Sequence, residues 1–324
     1  MKKEKKSNYI TQFELCDRDH FLIVKGIGVL VALIAYFCML LLNIPELKPI
    51  IDAICALFLV CSGYGVSESY IKKRGLVHYW ENKIIKVWIP SVVVLFILSV
   101  VNGSHPLSWI SKWNIGLKGN LLYILFVEYI AFWVVSRFIP KRNIRVLVLF
   151  AISALLFAFL PRTAPYRTLY FAFPVGVMFS LFGWKRPIKS FSWGMKVILF
   201  ISCGIVAIGM WLLANLFTIP YLTEIIWGIC YIATAAVLIF FTYFLQIIPI
   251  FGIFAPIGMA SYGLFLLYDK AYTMIQGKNN WRAIVVIVII LILAVAAFTW
   301  LRELLILWNR DLRRRKRAHI KGAM

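Results

Sequence analysis

Lys25 and Tyr36 are the first pair of side chains in this 324-residue chain whose types and spacing could do chemistry. They lie in the first long apolar segment, about three α-helical turns apart at roughly 3.6 residues per turn, so they share one helix face. A rise of about 1.5 Å per residue separates them by about 16 Å along the axis. A charge inside a membrane segment is costly and usually functional. A lysine near a segment end can also extend its ammonium to the interface, and this second interpretation stays open.

Glu128 is the clearest polar residue within an apolar segment, because it lies near the middle of residues 119–138. A carboxylate at that depth costs about 2.5–3.5 kcal/mol on insertion scales, so it must face a cavity or a partner. One interpretation is a general base or a substrate anchor. The other is a structural hydrogen bond between helices.

Two predicted outer loops carry further candidates. Arg162 and Arg167 lie in a proline-stiffened loop, where two guanidiniums could bind a phosphate or carboxylate, with solvated loop charges as the alternative. His105 lies in another outer loop and is either a surface histidine or a base. The four histidines and six cysteines form no HExxH pattern and no zinc-ligand spacing, so no metal site is predicted.

The composition indicates an integral membrane protein. The chain is 62% hydrophobic and 15% charged, whereas soluble domains are about half apolar and about a quarter charged. Apolar runs of about 20 residues recur along the whole chain, without the alternating ten-residue pattern of a barrel. The predicted fold class is therefore all-α, a polytopic membrane helical bundle. The net charge of +22 comes largely from short loops, so we interpret it as a topology signal and not as a nucleic-acid surface.

Ten apolar segments have about the length needed to span a bilayer. They are residues 21–43, 50–68, 87–102, 119–138, 144–160, 168–184, 195–217, 224–246, 253–271 and 283–303. With the N-terminus in the cytosol, 27 of the 35 lysines and arginines fall on the cytosolic side and 8 on the other, which predicts that both termini are cytosolic. We predict a basic cytosolic segment at 1–20, one transmembrane domain at 21–308 and a basic cytosolic tail at 309–324.

Several stretches together resemble the acyltransferase-3 family of membrane acyltransferases. Residues 25–36 match a family pattern of a basic residue, a glycine, an apolar run and a histidine. Residues 58–76 resemble a span that carries a Ser-Gly-aromatic element and continues into a basic loop. Residues 258–268 look like the family's late helix with a Gly-x-x-Ser-Tyr element, and residues 173–176 fit a weaker family element. The resemblance covers nearly the whole chain.

The resemblance implies an enzyme of the bacterial plasma membrane that moves an acyl group, usually acetyl, from a cytosolic acyl-CoA to a hydroxyl. The acceptor would be an envelope glycan or a lipid-linked saccharide. Tyr36 stands at the position of the family's catalytic histidine, and Lys25 at the basic residue that stabilises the donor or the developing charge. The residues expected to bind substrates are Lys25, Lys72, Lys73 and Arg74 for the donor and Arg162, Arg167 and Tyr268 for the acceptor.

Two hypotheses stay open because tyrosine, with a pKa near 10, replaces a histidine that titrates near neutral pH. In the first, the chain is an active acyltransferase whose catalytic residues are drawn from Tyr36, Glu128 and His105. In the second, it is a non-catalytic relative that binds a lipid-linked saccharide or a partner membrane enzyme, because Tyr268 also replaces a family histidine. A transporter is disfavoured by the few intramembrane charges and the lack of a visible internal repeat.

Overall fold

The helices of this protein follow the apolar segments of its sequence closely. The computed structural model describes residues 15–41, 44–72, 76, 79–89, 121–160, 166–185, 191–217, 219–245, 254–259, 261, 299–301, 303–305 and 307–308, and these contain helices and no strand. They belong to two units, each treated by itself: residues 1–76 with 116–258, and residues 77–115 with 259–324. The predicted helical class is confirmed for these residues.

The described residues of the first unit form seven long helices. They are α1 (Arg18–Leu41), α2 (Lys48–Lys72), α4 (Leu121–Phe138), α5 (Arg142–Phe159), α6 (Ala172–Lys185), α7 (Trp193–Leu216) and α8 (Pro220–Phe244). Two 3-10 turns, Pro45–Leu47 and Arg167–Leu169, connect them. In the second unit, α3 (Tyr79–Lys83) continues into the π-helical turn Ile84–Trp88. Local signals support these boundaries: Ser192 accepts a hydrogen bond from the Met195 amide at the start of α7, and Pro220 opens α8.

Seven of the ten predicted spans correspond to these long helices. Five described helical segments are long and apolar enough to cross a membrane, namely Asp19–Tyr36 and the whole of α2, α5, α7 and α8. The third, ninth and tenth predicted spans lie mostly outside the described residues. The total of ten spans, the cytosolic termini and the domain boundaries at 21 and 308 therefore stay predictions.

Helix α2 is the centre of the first unit. Every residue from position 53 to position 64 is buried, so the helix is covered on all sides. It packs against α1, α6 and α8. A helix that is apolar on all sides is expected to be buried among other helices, and α2 has three such neighbours.

Helix α7 has the opposite environment. Only Lys196 and Ala214 are buried along its 24 residues, and its isoleucines, leucines and tryptophans are largely exposed. Such a continuous exposed apolar surface is unfavourable in water and is what a lipid-facing helix presents. The exposed face of α7 therefore supports assignment of the chain to a membrane.

Contacts between helix ends show that α1, α5 and α7 begin at one end of the first unit and that α2, α4 and α8 end there. His20 near the start of α1 contacts Thr242 near the end of α8, and Arg145 near the start of α5 contacts Tyr70 near the end of α2. We call this end of the first unit the basic end and the opposite one the distal end. The basic end holds Lys72, Arg137, Lys141, Arg142, Arg145 and Lys196.

Glycines bring pairs of helices into backbone contact. A methyl group at Gly63 of α2 would overlap the carbonyl oxygen of Phe173, and one at Gly176 of α6 would overlap the carbonyl oxygen of Val60. Helices α2 and α6 therefore cross with their backbones in contact at these two glycines. Small residues allow such close approach between membrane helices, which have no hydrophobic driving force for association in lipid.

A second glycine pair fixes α1. A methyl group at Gly26 would overlap the carbonyl oxygen of Phe254, and one at Gly258 would overlap the carbonyl oxygen of Leu22. Residues 254–259 are helical, so this is also a helix crossing. Gly26 follows Lys25 in the chain. The crossing therefore also fixes where Lys25 lies along the helix bundle.

We expect Gly63→Ala to lower the free energy of unfolding by about 1–3 kcal/mol, because the added methyl meets backbone that cannot rotate away. The matched control is Gly65→Ala on the same helix, where a methyl meets nothing within 4 Å. That variant should be neutral or more stable by up to about 1 kcal/mol from helix propensity. Thermal unfolding of purified protein in detergent distinguishes them, and equal melting temperatures for the two variants would contradict the crossing.

Candidate functional site

Lys25 and Tyr36 both lie on α1, as the spacing predicted. The Lys25 ammonium lies 5.8 Å from the centroid of the Phe58 ring on α2, so the charge faces a neighbouring helix. Tyr36 is 6% exposed and is therefore packed inside the bundle. An ammonium over an aromatic face gains about 0.5–2 kcal/mol, more when it is desolvated. Lys25 is thus held within the helix packing about 10 Å from the start of α1, at about 1.5 Å per residue.

Glu128 is completely buried on α4. The Ser153 hydroxyl of α5 donates a hydrogen bond of 3.1 Å to its Oε1 atom. Its Oε2 atom has no hydrogen-bond partner among the residues that the structure describes. The two interpretations of Glu128 thus concern different atoms: Oε1 makes a structural hydrogen bond between helices, and a role as a base would use the buried Oε2 atom.

Glu128 and Lys25 have separate observed contacts. The Lys25 ammonium lies over the Phe58 ring of α2, whereas Glu128 accepts its hydrogen bond from Ser153 of α5.

His20 is a buried polar residue that the sequence reasoning did not single out. It is completely buried in the first turn of α1. The Cys16 amide donates to its Nδ1 atom at 3.0 Å, and its Nε2 atom lies 3.2 Å from the Thr242 hydroxyl of α8. Cys16 has a positive φ of 62°, a conformation uncommon outside glycine, and this turn aims its amide at the ring.

The hydrogen bonds of His20 assign its tautomer. Nδ1 accepts from an amide, so the ring proton is on Nε2. The Thr242 hydroxyl donates to the Leu238 or Ile239 carbonyl at 2.9 or 3.0 Å, and it can therefore accept from Nε2. With both ring nitrogens engaged, His20 joins α1 to α8 and is not positioned as a base. The sequence signal that could have identified His20 is its position just before the first apolar run, four residues after a cysteine.

Lys196 joins α7 to α8 at the same basic end. Its ammonium donates to the Tyr243 hydroxyl at 2.8 Å and lies 4.5 Å from the centroid of that ring. The edge of the Tyr243 ring also meets the His20 ring, with centroids 6.1 Å apart. These contacts make one polar network from α1 through α8 to α7.

Other basic residues at this end also have structural contacts. The Arg145 guanidinium donates to the Ile139 and Pro140 carbonyls and to the Tyr70 hydroxyl, and it lies 4.3 Å from the Tyr70 ring centroid. It therefore connects the ends of α4 and α2 to α5. Lys72, predicted to bind the donor, is exposed and lies 3.4 Å from Glu68. Such an exposed ion pair contributes only about 0–1 kcal/mol, so Lys72 can exchange this partner for a ligand.

Arg167, predicted to bind the acceptor from a solvated loop, is buried instead, with 3% of its side chain exposed. Its Nε atom donates to the Phe157 carbonyl at 2.6 Å. The guanidinium lies 4.4 Å from the centroid of the Phe157 ring and 5.4 Å from that of Tyr221, and its Nη1 atom is 3.2 Å from Glu224 Oε2. Arg167 thus holds the 3-10 turn against α5 and α8. Its role in acceptor binding stays a prediction.

The remaining predicted residues fall outside the described part of the chain. They are Lys73, Arg74, His105, Arg162 and Tyr268. Within the described part, no group of three or more His, Cys, Asp or Glu side chains could hold a metal ion.

The family model for an acyltransferase domain, of the acyltransferase-3 family, matches residues 53–302, which is more than three quarters of the chain. Helix α1, with Lys25 and Tyr36, precedes the matched residues. No curated protein and no solved structure matches the chain.

We expect Arg167→Ala to lower the free energy of unfolding by about 2 kcal/mol, because a charge-assisted hydrogen bond is worth about 1.5–3 kcal/mol. Glu224→Gln should cost less, since the Glu224 side chain is 24% exposed and water can solvate it. Thermal unfolding in detergent measures both. An Arg167→Ala variant with the parent melting temperature would contradict the structural role.

Proposed function

Because the chain belongs to the acyltransferase-3 family, we propose that it is an integral membrane acyltransferase that moves an acyl group, normally acetyl, from acyl-CoA to a hydroxyl of an envelope glycan or lipid-linked saccharide. The observation that carries this proposal is the buried carboxylate of Glu128, with Oε1 held by Ser153 and Oε2 without a hydrogen bond among the described residues. A fixed carboxylate with one available oxygen is suited to take a proton from an alcohol.

The proposed step transfers the acyl group from the sulfur of the donor to the hydroxyl oxygen of the acceptor. The acceptor hydroxyl oxygen attacks the thioester carbonyl carbon, and its proton passes to Glu128 Oε2. The carbon–sulfur bond then breaks, and the leaving thiolate of coenzyme A takes up the proton held by Glu128, which returns the carboxylate to its starting form. Lys25 contributes a positive charge close to the donor, where it stabilises developing negative charge.

The proposed orientation places the basic end in the cytosol of a bacterial cell, with the protein in the plasma membrane. Lysine and arginine are enriched on the cytosolic side of membrane proteins. The phosphates of an acyl-CoA are anionic, and Lys72 with its neighbours Lys73 and Arg74 would attract them. The donor then enters from the basic end and the acceptor from the distal end.

Glu128→Gln should reduce acyl transfer by about 10²–10⁴-fold, the usual contribution of a positioned general base. The glutamine oxygen can still accept from Ser153, so the fold should survive. The matched control is Glu46→Gln, an exposed glutamate in the 3-10 turn before α2. Transfer of label from acetyl-CoA to membrane extract measures the rates, and a fully active Glu128→Gln variant would refute the role.

The second candidate is a non-catalytic relative that binds a lipid-linked saccharide or a partner membrane enzyme. The burial of Tyr36, with a hydroxyl in place of an imidazole, favours it, because tyrosine is a poor base at neutral pH.

A Tyr36→His, Tyr268→His double variant separates the two candidates. If the parent is a non-catalytic relative, it shows no acyl transfer, and restored imidazoles should produce measurable transfer from labelled acetyl-CoA. If the parent already transfers acyl groups at a substantial rate, the non-catalytic candidate is excluded.

A further inference from the structure

The link between α4 and α5 concentrates positive charge that the proposed chemistry does not use. Residues 137–145 contain four basic residues, Arg137, Lys141, Arg142 and Arg145, and no acidic residue. Arg137 and Lys141 are exposed. Neither of these two side chains forms an ion pair with a residue that the structure describes. We call residues 137–145 the basic link.

Arg145 holds the backbone of the basic link in place. Its buried guanidinium donates to the carbonyls of Ile139 and Pro140 at 3.2 and 3.4 Å. Arg137 and Lys141, on either side of these carbonyls, are the cations that face outwards. Their Cα atoms are four positions apart, and so at most about 14 Å from each other. Two long cationic side chains at that separation can reach the same phosphate group.

The acidic residues described at the basic end do not neutralise these two cations. Glu68 lies 3.4 Å from Lys72 and also interacts with Arg142, so its single negative charge is set against two positive ones. Asp17 and Asp19 lie at the start of α1, which packs mainly against α2 and α8. The outward surface of the basic link therefore carries a net positive charge and favours an anionic partner.

Each outward cation lies at the end of an exposed apolar stripe. On α4, Ile130, Val134 and Phe138 are exposed at intervals of four residues, and Phe138, beside Arg137, is 76% exposed. On α5, the exposed stripe begins three residues after Lys141 and contains Ile144, Leu147, Leu155 and Phe159. Such spacing places side chains on one face of a helix. Helices α4 and α5 pack against each other, so the two stripes belong to neighbouring helices.

This layout matches a phospholipid better than a soluble anion. A phospholipid has a phosphate at the membrane surface and two acyl chains that continue into the hydrocarbon, and the link offers cations with apolar stripes leading away from them. A soluble phosphate compound would leave the exposed Phe138 ring beside Arg137 without an apolar partner. Basic residues next to membrane helices attract anionic lipid headgroups.

We propose that the basic link binds the headgroup phosphate of an anionic phospholipid. Arg137 and Lys141 supply the cationic contacts, and the acyl chains lie along the exposed stripes of α4 and α5. The inference does not depend on the proposed function, because none of these residues takes part in the proposed acyl transfer.

The test titrates the full chain in detergent with phosphatidylglycerol, or with phosphatidylcholine of the same acyl chains, and measures lipid binding by native mass spectrometry. The parent should bind phosphatidylglycerol with the lower Kd. Arg137→Gln and Lys141→Gln should each raise that Kd about five-fold, and the double variant about 25-fold, from the attraction of each basic residue to anionic lipid. Both side chains are exposed, so the double variant should keep the parent melting temperature in phosphatidylcholine.

The matched control is Lys48→Gln, which removes an exposed lysine at the start of α2, at the distal end, and should leave the Kd unchanged. A competition with free coenzyme A and with glycerol 3-phosphate separates a lipid site from a site for soluble phosphates, and neither compound should displace phosphatidylglycerol.

Four results overturn the inference. Equal Kd values for the two lipids would mean that the basic link acts only as a topology signal. A parent Kd in the double variant would exclude Arg137 and Lys141 as contacts. An equal loss in Lys48→Gln would indicate attraction to overall charge, and displacement by coenzyme A would assign the basic link to soluble phosphates.

Discussion

Backbone contact between helices at glycines is the constraint on which the rest of this structure depends. In lipid, helices gain nothing from burying apolar side chains against each other, so close packing has to supply the association energy. The Gly63–Gly176 crossing joins the central helix to α6, and the Gly26–Gly258 crossing joins α1 to residues 254–259. These positions lie in the stretches that resemble the acyltransferase-3 family. The stretches that resemble the family therefore include the glycines at which the helices contact each other.

The crossings set helix positions, and buried polar contacts at both ends hold the helices there. At the basic end, His20, Thr242, Tyr243 and Lys196 connect α1, α8 and α7. At the distal end, Arg167 connects the 3-10 turn to α5 and α8. Hydrogen bonds between membrane helices average less than about 1 kcal/mol each, but an unpartnered polar group in hydrocarbon costs more. These contacts therefore mainly select one arrangement of helices over others.

Contacts between helices also hold the two charged residues of the proposed chemistry. The Lys25 ammonium lies over the Phe58 ring of α2, and Glu128 Oε1 accepts a hydrogen bond from Ser153 of α5. Tyr36 is buried on the same helix as Lys25.

The amino-acid sequence by itself determined the helical class, the membrane environment, the positions of seven long helices and the family. These depend on local composition and periodicity, because each helix satisfies its own backbone hydrogen bonds. Only the tertiary structure decided which polar residues have partners. His20 meets Thr242 from 222 positions away, and Arg167, expected in solvent, is buried against Phe157 and Glu224. No local pattern specifies such pairs, since they depend on how helices distant in the chain approach one another.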